Sequence, residues 1–400
     1  MTPLSLKHFT ATSCIGRGLE ATFESLREQR SGLAPCSFET VTLQTHIGEV
    51  PEVETVRLPT ALKRFECRNN RLALLGITQD GFLDAVAASA SRWGRHRVGL
   101  FLGTSTSGML DTEVAYRRRE PRTGALPAGF DYAGTHNSYS LGAFVQELLG
   151  LEGPSAVVSS ACSSSAKVFG SARRMMAAGL IDAAVVGGVD SLCLTTLYGF
   201  HSLQLVSPGP CRPFDVGRDG ISIGEAAAFA LIERPPGSLD EDAILLLGVG
   251  ESSDAYHMSS PHPEGRGARA AMLAALASAD LAPEEIDYLN LHGTGTPNND
   301  SAEGLAVAAV FGQRRPAVEA SSTKGATGHT LGAAGALEAV ICVLSLQHGL
   351  LPGSVHTRRV DPSLGFEYLL ANRRRPIARA LSNSFGFGGT NCSILLGRAQ

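Results

Sequence analysis

Val157-Val158-Ser159-Ser160-Ala161-Cys162-Ser163-Ser164-Ser165-Ala166 is the stretch of sequence that points most directly to the fold. The two valines close an apolar run that is typical of a buried strand, and residues 163–179 are rich in Ala, Ser and Met, as expected of a helix. A strand that leads straight into a helix is the first part of a parallel crossover. The stretch therefore predicts an α/β fold with Cys162 at the turn between a strand and a helix.

The composition supports a large, well-packed α/β protein. The chain has 400 residues, of which 44% are hydrophobic and 45 are glycine. Its net charge of -4 gives no global attraction to nucleic acid or to anionic lipid, so neither is expected as a partner. The eight cysteines form no C-x-x-C pair and are interpreted as reduced thiols.

No targeting or membrane segment is predicted. The N-terminal residues lack the basic-then-apolar order of a signal peptide. No uninterrupted apolar run reaches the roughly 18 residues that a membrane span needs. We therefore expect a cytoplasmic protein that does not enter a membrane.

A break in the pattern divides the chain into two halves. Arg234-Pro235-Pro236-Gly237-Ser238 interrupts a strand-like segment at 227–233 and precedes a new apolar run at 244–249. We predict an N-terminal half at 1–236 that carries Cys162, and a C-terminal half at 237–400.

The two halves resemble each other in order. An apolar run at 98–102 leads into Gly103-Thr104-Ser105-Thr106, and a second at 288–292 leads into Gly293-Thr294-Gly295-Thr296. Further along, residues 159–162 match residues 321–324, and each segment precedes a Gly/Ala-rich helical stretch. This repetition indicates a duplication. Residues at equivalent strand ends are then expected to converge on one site.

Cys162 is the first candidate for chemistry. At a helix start the free N–H groups and the helix dipole favour the thiolate, and the same N–H groups can hold an oxyanion. The alternative is a buried structural cysteine, which is the commoner fate of a free thiol. The three serines that follow Cys162 argue against a purely apolar surrounding.

Two further segments carry candidate groups. His292 ends a predicted strand and precedes Thr294 and Thr296, whose hydroxyls can bind an amide-bearing arm; an ordinary polar turn is the alternative. Lys324 and His329 precede a Gly/Ala-rich helix that contains Glu338, which can pair with Lys324. His329 is expected at a helix N-terminus, which would keep its ring neutral. A helix used only for packing is the alternative there.

Other motifs are weaker or absent. Phe387 lies in the segment 382–391, whose glycines and aromatic residues suit a mobile loop over a tunnel, although a packed glycine turn has the same composition. The histidines and cysteines lack zinc-ligand spacing, so no metal is expected. Ser107 occupies the last glycine position of a G-x-S-x-G elbow, and no phosphate-binding glycine loop follows a strand.

Taken together, the motifs resemble those of the β-ketoacyl-acyl carrier protein synthases of the ketoacyl synthase I/II type. The matching segments extend over almost the whole chain and comprise Ala161–Ser165, Gly187–Asp190, Pro213–Asp215, Arg218–Gly220, Gly224-Glu225, His292–Thr296, Lys324, Gly328-His329 and Asn383–Asn391. The resemblance implies the thiolase-like fold, with two pseudo-symmetric α/β halves in an αβαβα layering. It also implies a decarboxylating condensation of an acyl chain with a malonyl unit.

The same resemblance assigns roles to residues. Cys162 would accept the acyl chain, and His292 and His329 would act on the malonyl carbonyl. Lys324, paired with Glu338, would support the site, while Phe387 would be the gatekeeper and share an oxyanion hole with Cys162. Thr294 and Thr296 would bind the phosphopantetheine arm of an acyl carrier protein, and no other cofactor is implied.

The resemblance further implies partners. An acidic carrier protein would need a basic rim, for which the candidates are Lys63, Arg64, Arg68, Arg117, Arg118 and Arg119. A homodimer, or a heterodimer with a second ketosynthase-like subunit, is expected. Departures at 10–14 and 226–228 suggest a divergent branch such as the polyene or aryl polyene synthases, with fatty-acid elongation left open.

Two alternative functions stay open at this point. One is a non-catalytic chain-length-factor-like subunit, which typically lacks the nucleophile and is therefore disfavoured by Cys162. The other is a non-decarboxylating thiolase-like acyltransferase, which His329 and the Phe387 loop disfavour.

Overall fold

The computed structural model of the protein describes residues 3–235, 237, 240, 242–314 and 316–399. Within these residues the α-helices are α1 Leu19–Arg27, α2 Arg68–Ile77, α3 Phe82–Trp93, α4 Met109–Arg117, α5 Tyr139–Leu149, α6 Ser164–Ala177, α7 Leu194–Ser202, α8 Arg266–Ala279, α9 Pro297–Phe311, α10 Lys324–Thr327 and α11 Ala334–His348. The strands are β1 Leu4–Ser13, β2 Gly16–Arg17, β3 Ala34–Pro35, β4 His46–Gly48, β5 Val98–Gly103, β6 Ser155–Val158, β7 Ala183–Asp190, β8 Ile223–Gly224, β9 Ala226–Glu233, β10 Ile244–Ser253, β11 Tyr288–Asn290, β12 Glu319–Ser321, β13 Leu350–Leu351, β14 Glu367–Tyr368, β15 Arg373–Arg374, β16 Arg379–Gly386 and β17 Thr390–Arg398.

One twelve-stranded sheet organises the molecule. Its order is β14-β12-β11-β16-β17-β10-β1-β9-β7-β5-β6, with β2 beside β1. The strands before and after the predicted division meet where β1 pairs antiparallel with β10, and Leu4 faces Leu246 there. The division itself stays a prediction, because Pro236 and Ser238 lie outside the described residues.

The strand order confirms the predicted duplication. Numbered one to five along the chain, β1, β5, β6, β7 and β9 lie in the sheet as one-five-four-two-three, and β10, β11, β12, β16 and β17 lie in the same order. Strand directions also agree, with two antiparallel pairs followed by two parallel pairs in each set. The matched segments fall on equivalent strands, β5 with β11 and β6 with β12.

Helices form three further layers around the strands. Helices α6 and α11 contact each other, with α6 on β5 and β7 and α11 on both β9 and β16, so this pair is the middle layer. Helix α2 covers β9 on one outer side, and α8 covers β10 and β17 on the other. The predicted thiolase-like α/β layering is thereby confirmed.

The apolar middle layer explains an 18-residue stretch of high hydropathy. Residues Leu331–His348 have a mean hydropathy of 1.4, enough by length and composition for a membrane span, yet 89% of them are buried in the protein. Helix α11 buries apolar side chains on every face because it packs against α6 and against strands of both halves, β9 and β16. Its composition is that of a core helix.

Candidate active site

The candidate residues converge at the carboxyl ends of parallel strands. Cys162 follows β6, His292 follows β11, and Lys324 and His329 follow β12. Three of them open into one cavity of about 190 Å³. The cavity is lined by Cys162, Phe200, Leu203, Leu205, Ile221, Asp254, Ser259, Ser260, Pro261, His292, Thr294, Thr296, Asn298, Asn299, His329, Phe385, Gly386, Phe387, Gly389 and Asn391.

A strained turn presents the thiol to this cavity. Ala161 has a φ of 52°, a left-handed conformation that costs an ordinary residue about 1–2 kcal/mol. The turn places the Cys162 Sγ atom 3.0 Å from the Nε2 atom of His329, although the two residues are 167 positions apart in sequence. The N–H groups of Phe387 and of Cys162 itself also point at the sulfur. The thiol therefore has one basic partner and two backbone donors.

Burial determines the resting state of this thiol. Removal from water raises the pKa of Cys162 to about 12, while the Lys324 ammonium acts in the opposite direction and Asp190 adds to the rise. The expectation that the helix start favours a resting thiolate is wrong, because desolvation outweighs it. Deprotonation must be coupled to a base, and His329 is in contact.

His292 is held by the ammonium of Lys324. The Lys324 Nζ atom donates to the His292 carbonyl oxygen at 2.6 Å and lies 3.5 Å from its Nδ1 atom, while also forming an ion pair with Glu338. An ammonium can only donate, so Nδ1 accepts and the ring proton lies on Nε2. Burial, followed by Lys324 and His329, lowers the pKa of His292 well below its ordinary value. The predicted Lys324–Glu338 pair is thus present, and burial raises the pKa of Glu338 to about 7.

His329 lies at the start of a helical segment, as expected. A 3-10 turn at Leu331–Ala333 continues directly into α11, so His329 precedes the segment by two residues. Burial, with a smaller contribution from Lys324, lowers its pKa well below the ordinary value. Its Nδ1 atom has no hydrogen-bond partner among the described residues, so neither ring tautomer is locked.

Thr294 and Thr296 lie on the wall of the same cavity. Their hydroxyls are 2.9 Å apart, and the loop that carries them is held where Asp300 accepts hydrogen bonds from the N–H groups of Thr294 and Gly295. This placement is compatible with the predicted contact to a substrate arm.

Three buried carboxylates that support the site are missing from the sequence predictions. Glu303 accepts from the N–H groups of His292 at 2.8 Å and Gly293 at 2.7 Å, and burial raises its pKa to about 7. Asp300 and Glu303 are three residues apart on α9 and hold the same loop, so an acidic pair in the first two turns of a helix that becomes apolar afterwards was the available signal. Asp190 accepts from Ser105 N at 2.7 Å and from Gly332 N at 2.6 Å, joining two strand-end loops.

Phe387 lies in a loop that is hydrogen-bonded to a second loop. Its ring centroid is 5.4 Å from that of Phe200, next to the cavity. The Gly388 N–H donates to the Met258 carbonyl at 2.8 Å, and Asn391 Nδ2 donates to the Asp254 carboxylate at 3.0 Å. The segments 254–262 and 386–391 therefore close over the cavity together.

The candidate docking residues lie away from this cavity. Lys63 is exposed, Arg64 pairs with Glu147, and Arg117 lies 3.6 Å from Glu39. Arg118 and Arg119 are exposed on the same segment.

Arg68 does not fit a docking role. Its side chain is 3% exposed and bonds the fully buried Glu225 at 2.6 Å. It also pairs with Glu54 and Glu49. The docking prediction is wrong for Arg68, because a buried guanidinium with carboxylate partners is unavailable to another protein.

The arrangement offers three potential metal-ligand atoms. Those of Cys162, His292 and His329 all lie within 4.8 Å of one another. The Lys324 ammonium beside His292 Nδ1 and the high pKa of the thiol both oppose a bound cation. The expectation of a metal-free site stays a prediction.

Comparison with known proteins gives a consistent result. The N-terminal domain of the β-ketoacyl synthases matches residues 9–236, and the C-terminal domain matches residues 244–358. Nodulation protein E of Rhizobium meliloti is 37% identical over 312 residues, covering 74% of this chain and 75% of that protein. 3-Oxoacyl-[acyl-carrier-protein] synthase 2 of Coxiella burnetii is 31% identical over 96% of each chain.

A solved structure matches this chain over its full length. The ketosynthase ApeO of Xenorhabdus doucetiae, determined in complex with its chain length factor ApeC, has a TM-score of 0.88 and 37% identity. The match covers 100% of this chain and 98% of that chain.

Proposed function

The chain belongs to the β-ketoacyl synthase family of condensing acyltransferases, and we propose that Cys162, His292, Lys324 and His329 are its catalytic machinery. In this proposal Cys162 holds an acyl chain, and the two histidines act on a malonyl unit delivered by a carrier protein. The observation that carries it is the meeting of the Cys162 thiol and both imidazoles within 4.8 Å in one cavity.

Acylation begins with proton transfer from sulfur. His329 is neutral and its Nε2 atom lies 3.0 Å from Sγ, so it takes the thiol proton as sulfur attacks the thioester carbonyl of the donor. The N–H groups of Cys162 and Phe387 stabilise the oxyanion that forms. The carbon–sulfur bond to the pantetheine breaks, and the departing thiolate receives the proton from His329.

Condensation uses the histidines as donors. The carbon–carbon bond to the malonyl carboxylate breaks, carbon dioxide leaves, and its bonding electrons form an enolate on the thioester. His292 donates from Nε2 because Lys324 occupies its Nδ1 side, and His329 donates from Nε2 after its tautomer changes. The enolate carbon then attacks the Cys162 thioester, the new carbon–carbon bond forms as the carbon–sulfur bond breaks, and the thiolate takes up one proton from solvent.

Intact-mass measurement tests the first step. Wild-type protein incubated with an acyl-acyl carrier protein should gain the mass of one acyl group, and Cys162→Ala should gain none. Carbon dioxide release from malonyl carrier protein tests the second step. Equal labelling of both proteins, or no carbon dioxide above the background of His292→Ala, would contradict the proposal.

We also propose a second ketosynthase-like subunit as partner, either another copy or a related chain. Strand β6 ends the sheet, so one row of its backbone N–H and C=O groups faces outward within the described structure. Tyr139, which is 43% exposed, lies with Val157 close to Gly142 beside this edge. The similarity to ApeO, which was solved with its chain length factor, supports the proposal.

The oligomeric state of variants tests whether a partner pairs at the β6 edge. Val157→Lys should convert a dimer to a monomer in light scattering, whereas Leu273→Lys, on an exposed helix position far along the chain, should not. A dimer that survives Val157→Lys would contradict pairing at this edge.

Compartment and pathway are part of the same proposal. A nucleophilic thiol must stay reduced, so we place the enzyme in the cytoplasm. Substrates carried on phosphopantetheine suffice for the steps above without a metal or another cofactor. The similarity to a ketosynthase solved with a chain length factor leads us to propose a pathway in which such a partner takes part.

A further inference from the structure

Three hydroxyl groups connect the nucleophile turn to the Phe387 loop. The Ser163 Oγ atom lies 2.9 Å from the Thr390 Oγ1 atom, and each of them lies within hydrogen-bond distance of the Ser160 carbonyl oxygen, at 2.9 and 3.0 Å. The Ser160 hydroxyl is 3.2 Å from Ser163 Oγ. We call Ser160, Ser163 and Thr390 the hydroxyl latch.

The Ser163 hydroxyl does not cap helix α6. It holds the N-cap position of α6, where a serine side chain ordinarily accepts from the first turn of the helix. No such side-chain bond is present, and the hydroxyl faces the Phe387 loop instead. The side chain is fully buried, so the contact with Thr390 takes the place of the cap.

The latch spans the two donors of the proposed oxyanion hole. Ser163 follows Cys162, whose N–H is one donor, and Thr390 lies three residues after Phe387, whose N–H is the other. Each donor belongs to a different segment of chain, so their separation depends on what joins those segments. Within the described residues the latch joins them directly beside the sulfur.

Gly386 shows how closely the two segments approach. A side chain at this position would place its Cβ atom 2.8 Å from the Ser160 carbonyl oxygen and 2.9 Å from Thr390 Oγ1. The φ of Gly386 is -107°, which any residue can adopt, so contact with the latch is what requires glycine.

We propose that Ser163 and Thr390 are positioning residues that fix the Phe387 N–H against the Cys162 N–H. The inference rests on the proposed acyl transfer to Cys162. Ser160, Ser163 and Thr390 do not line the cavity, and the latch acts by holding the closed Phe387 loop at the spacing that a tetrahedral oxyanion requires. Misplacement of such donors costs rate in the transition state and leaves substrate binding almost unchanged.

The test compares two reactions of the same thiol. Acyl transfer forms a tetrahedral oxyanion, whereas alkylation by iodoacetamide displaces iodide at a CH₂ group and forms none. Thr390→Val keeps the side-chain shape and removes the hydroxyl, and it should slow acyl transfer about tenfold without changing KM for the acyl carrier protein. Iodoacetamide should alkylate Cys162 with a loss of rate far smaller than that of acyl transfer, because His329, which accepts the thiol proton, does not contact the latch.

Three companion variants complete the test. Thr390→Ser restores the hydroxyl and should recover acyl transfer. Ser163→Ala should act like Thr390→Val, and the double variant should be no slower than either single one, because both remove the same link. Ser345→Ala removes another buried serine hydroxyl, one that bonds Ile341 within α11, and should leave both reactions unchanged.

The possible outcomes separate failure of the latch proposal from failure of the proposed acyl transfer on which it rests. Loss of acyl transfer and alkylation together would show a merely structural role and overturn the latch. Unchanged acyl transfer in Thr390→Val and Ser163→Ala would also overturn it. A wild-type protein that is alkylated but never acylated would contradict the proposed function itself.

Discussion

The Sγ atom of Cys162 and the Nε2 atom of His329 lie 3.0 Å apart inside the protein, and burial shifts their pKa values in opposite directions. The pKa of the thiol rises to about 12, and that of the imidazole falls well below 6.5. Around neutral pH the proton therefore resides on sulfur, with an unprotonated acceptor in contact.

Removing that acceptor should create a steep pH dependence. In His329→Ala the thiolate must form unaided, and below a pKa of about 12 its fraction grows about tenfold for each pH unit. We expect acyl transfer about 100-fold or more slower at neutral pH, with a deficit that shrinks as the pH rises. Single-turnover acylation followed by mass, with Cys162→Ala as the blank, measures both rates. A deficit that is constant with pH would argue against His329 as the base.

Glu303→Gln should displace His292. The carboxylate accepts from two consecutive N–H groups and from Asn383, and an amide would turn its NH₂ group toward one of these donors. We expect a loss of about 1–3 kcal/mol in the free energy of unfolding, together with slower release of carbon dioxide from malonyl carrier protein. The exposed Glu284→Gln is the matched control. Full decarboxylation by Glu303→Gln would show that the carboxylate does not position His292.

Gly388→Ala should weaken closure of the Phe387 loop without harming the fold. Gly388 has a φ of 81° and open space around its Cβ position, so the cost is confined to backbone conformation and amounts to about 1–2 kcal/mol. Slower acyl transfer is expected, with a melting temperature lowered by a few degrees at most. Gly129→Ala, which also has open space but an ordinary φ, controls for the added methyl group. Equal rates in the two variants would contradict a closed loop in the reactive state.

Substitution of Arg68 should lower stability, whereas substitution of Lys63 should weaken binding of the carrier protein. Arg68→Ala leaves Glu225 buried without its guanidinium and should lower the free energy of unfolding by about 3–5 kcal/mol. Lys63→Glu should leave unfolding unchanged and raise KM for an acidic carrier protein, most strongly at low salt. Chemical denaturation and steady-state kinetics at two ionic strengths measure these effects. If Lys63→Glu and Arg64→Glu leave KM unchanged, docking must occur elsewhere.

Sequence patterns predicted the strand-turn-helix around Cys162 well, because that unit is local. The predicted helix at 163–179 and the observed α6 at Ser164–Ala177 differ by one or two residues at each end. The contact between Cys162 and His329 depends on the pairing of distant strands, and only the repeated motifs and the family resemblance suggested it. No residue-level pattern gives a distance across 167 positions.

The electrostatic expectation for Cys162 failed because of burial. A resting thiolate was predicted from the dipole of the nearby helix, but the burial that outweighs this dipole is a tertiary property. Glu303 was missed for a related reason. A carboxylate on a helix is ordinarily a solvated side chain, and its full burial becomes visible only when α9 is packed behind the His292 loop.

The two halves have the same strand order, yet they place different side chains at equivalent strand ends. Cys162 and Lys324 occupy matching positions after the third strand of their respective sets, β6 and β12. Two identical subunits in this arrangement would bring together either two thiols or two ammonium groups. Because one chain encodes both copies separately, the first copy carries the thiol and the second carries the ammonium that lies beside His292. The two halves therefore contribute different groups to one site, although their strand orders are the same.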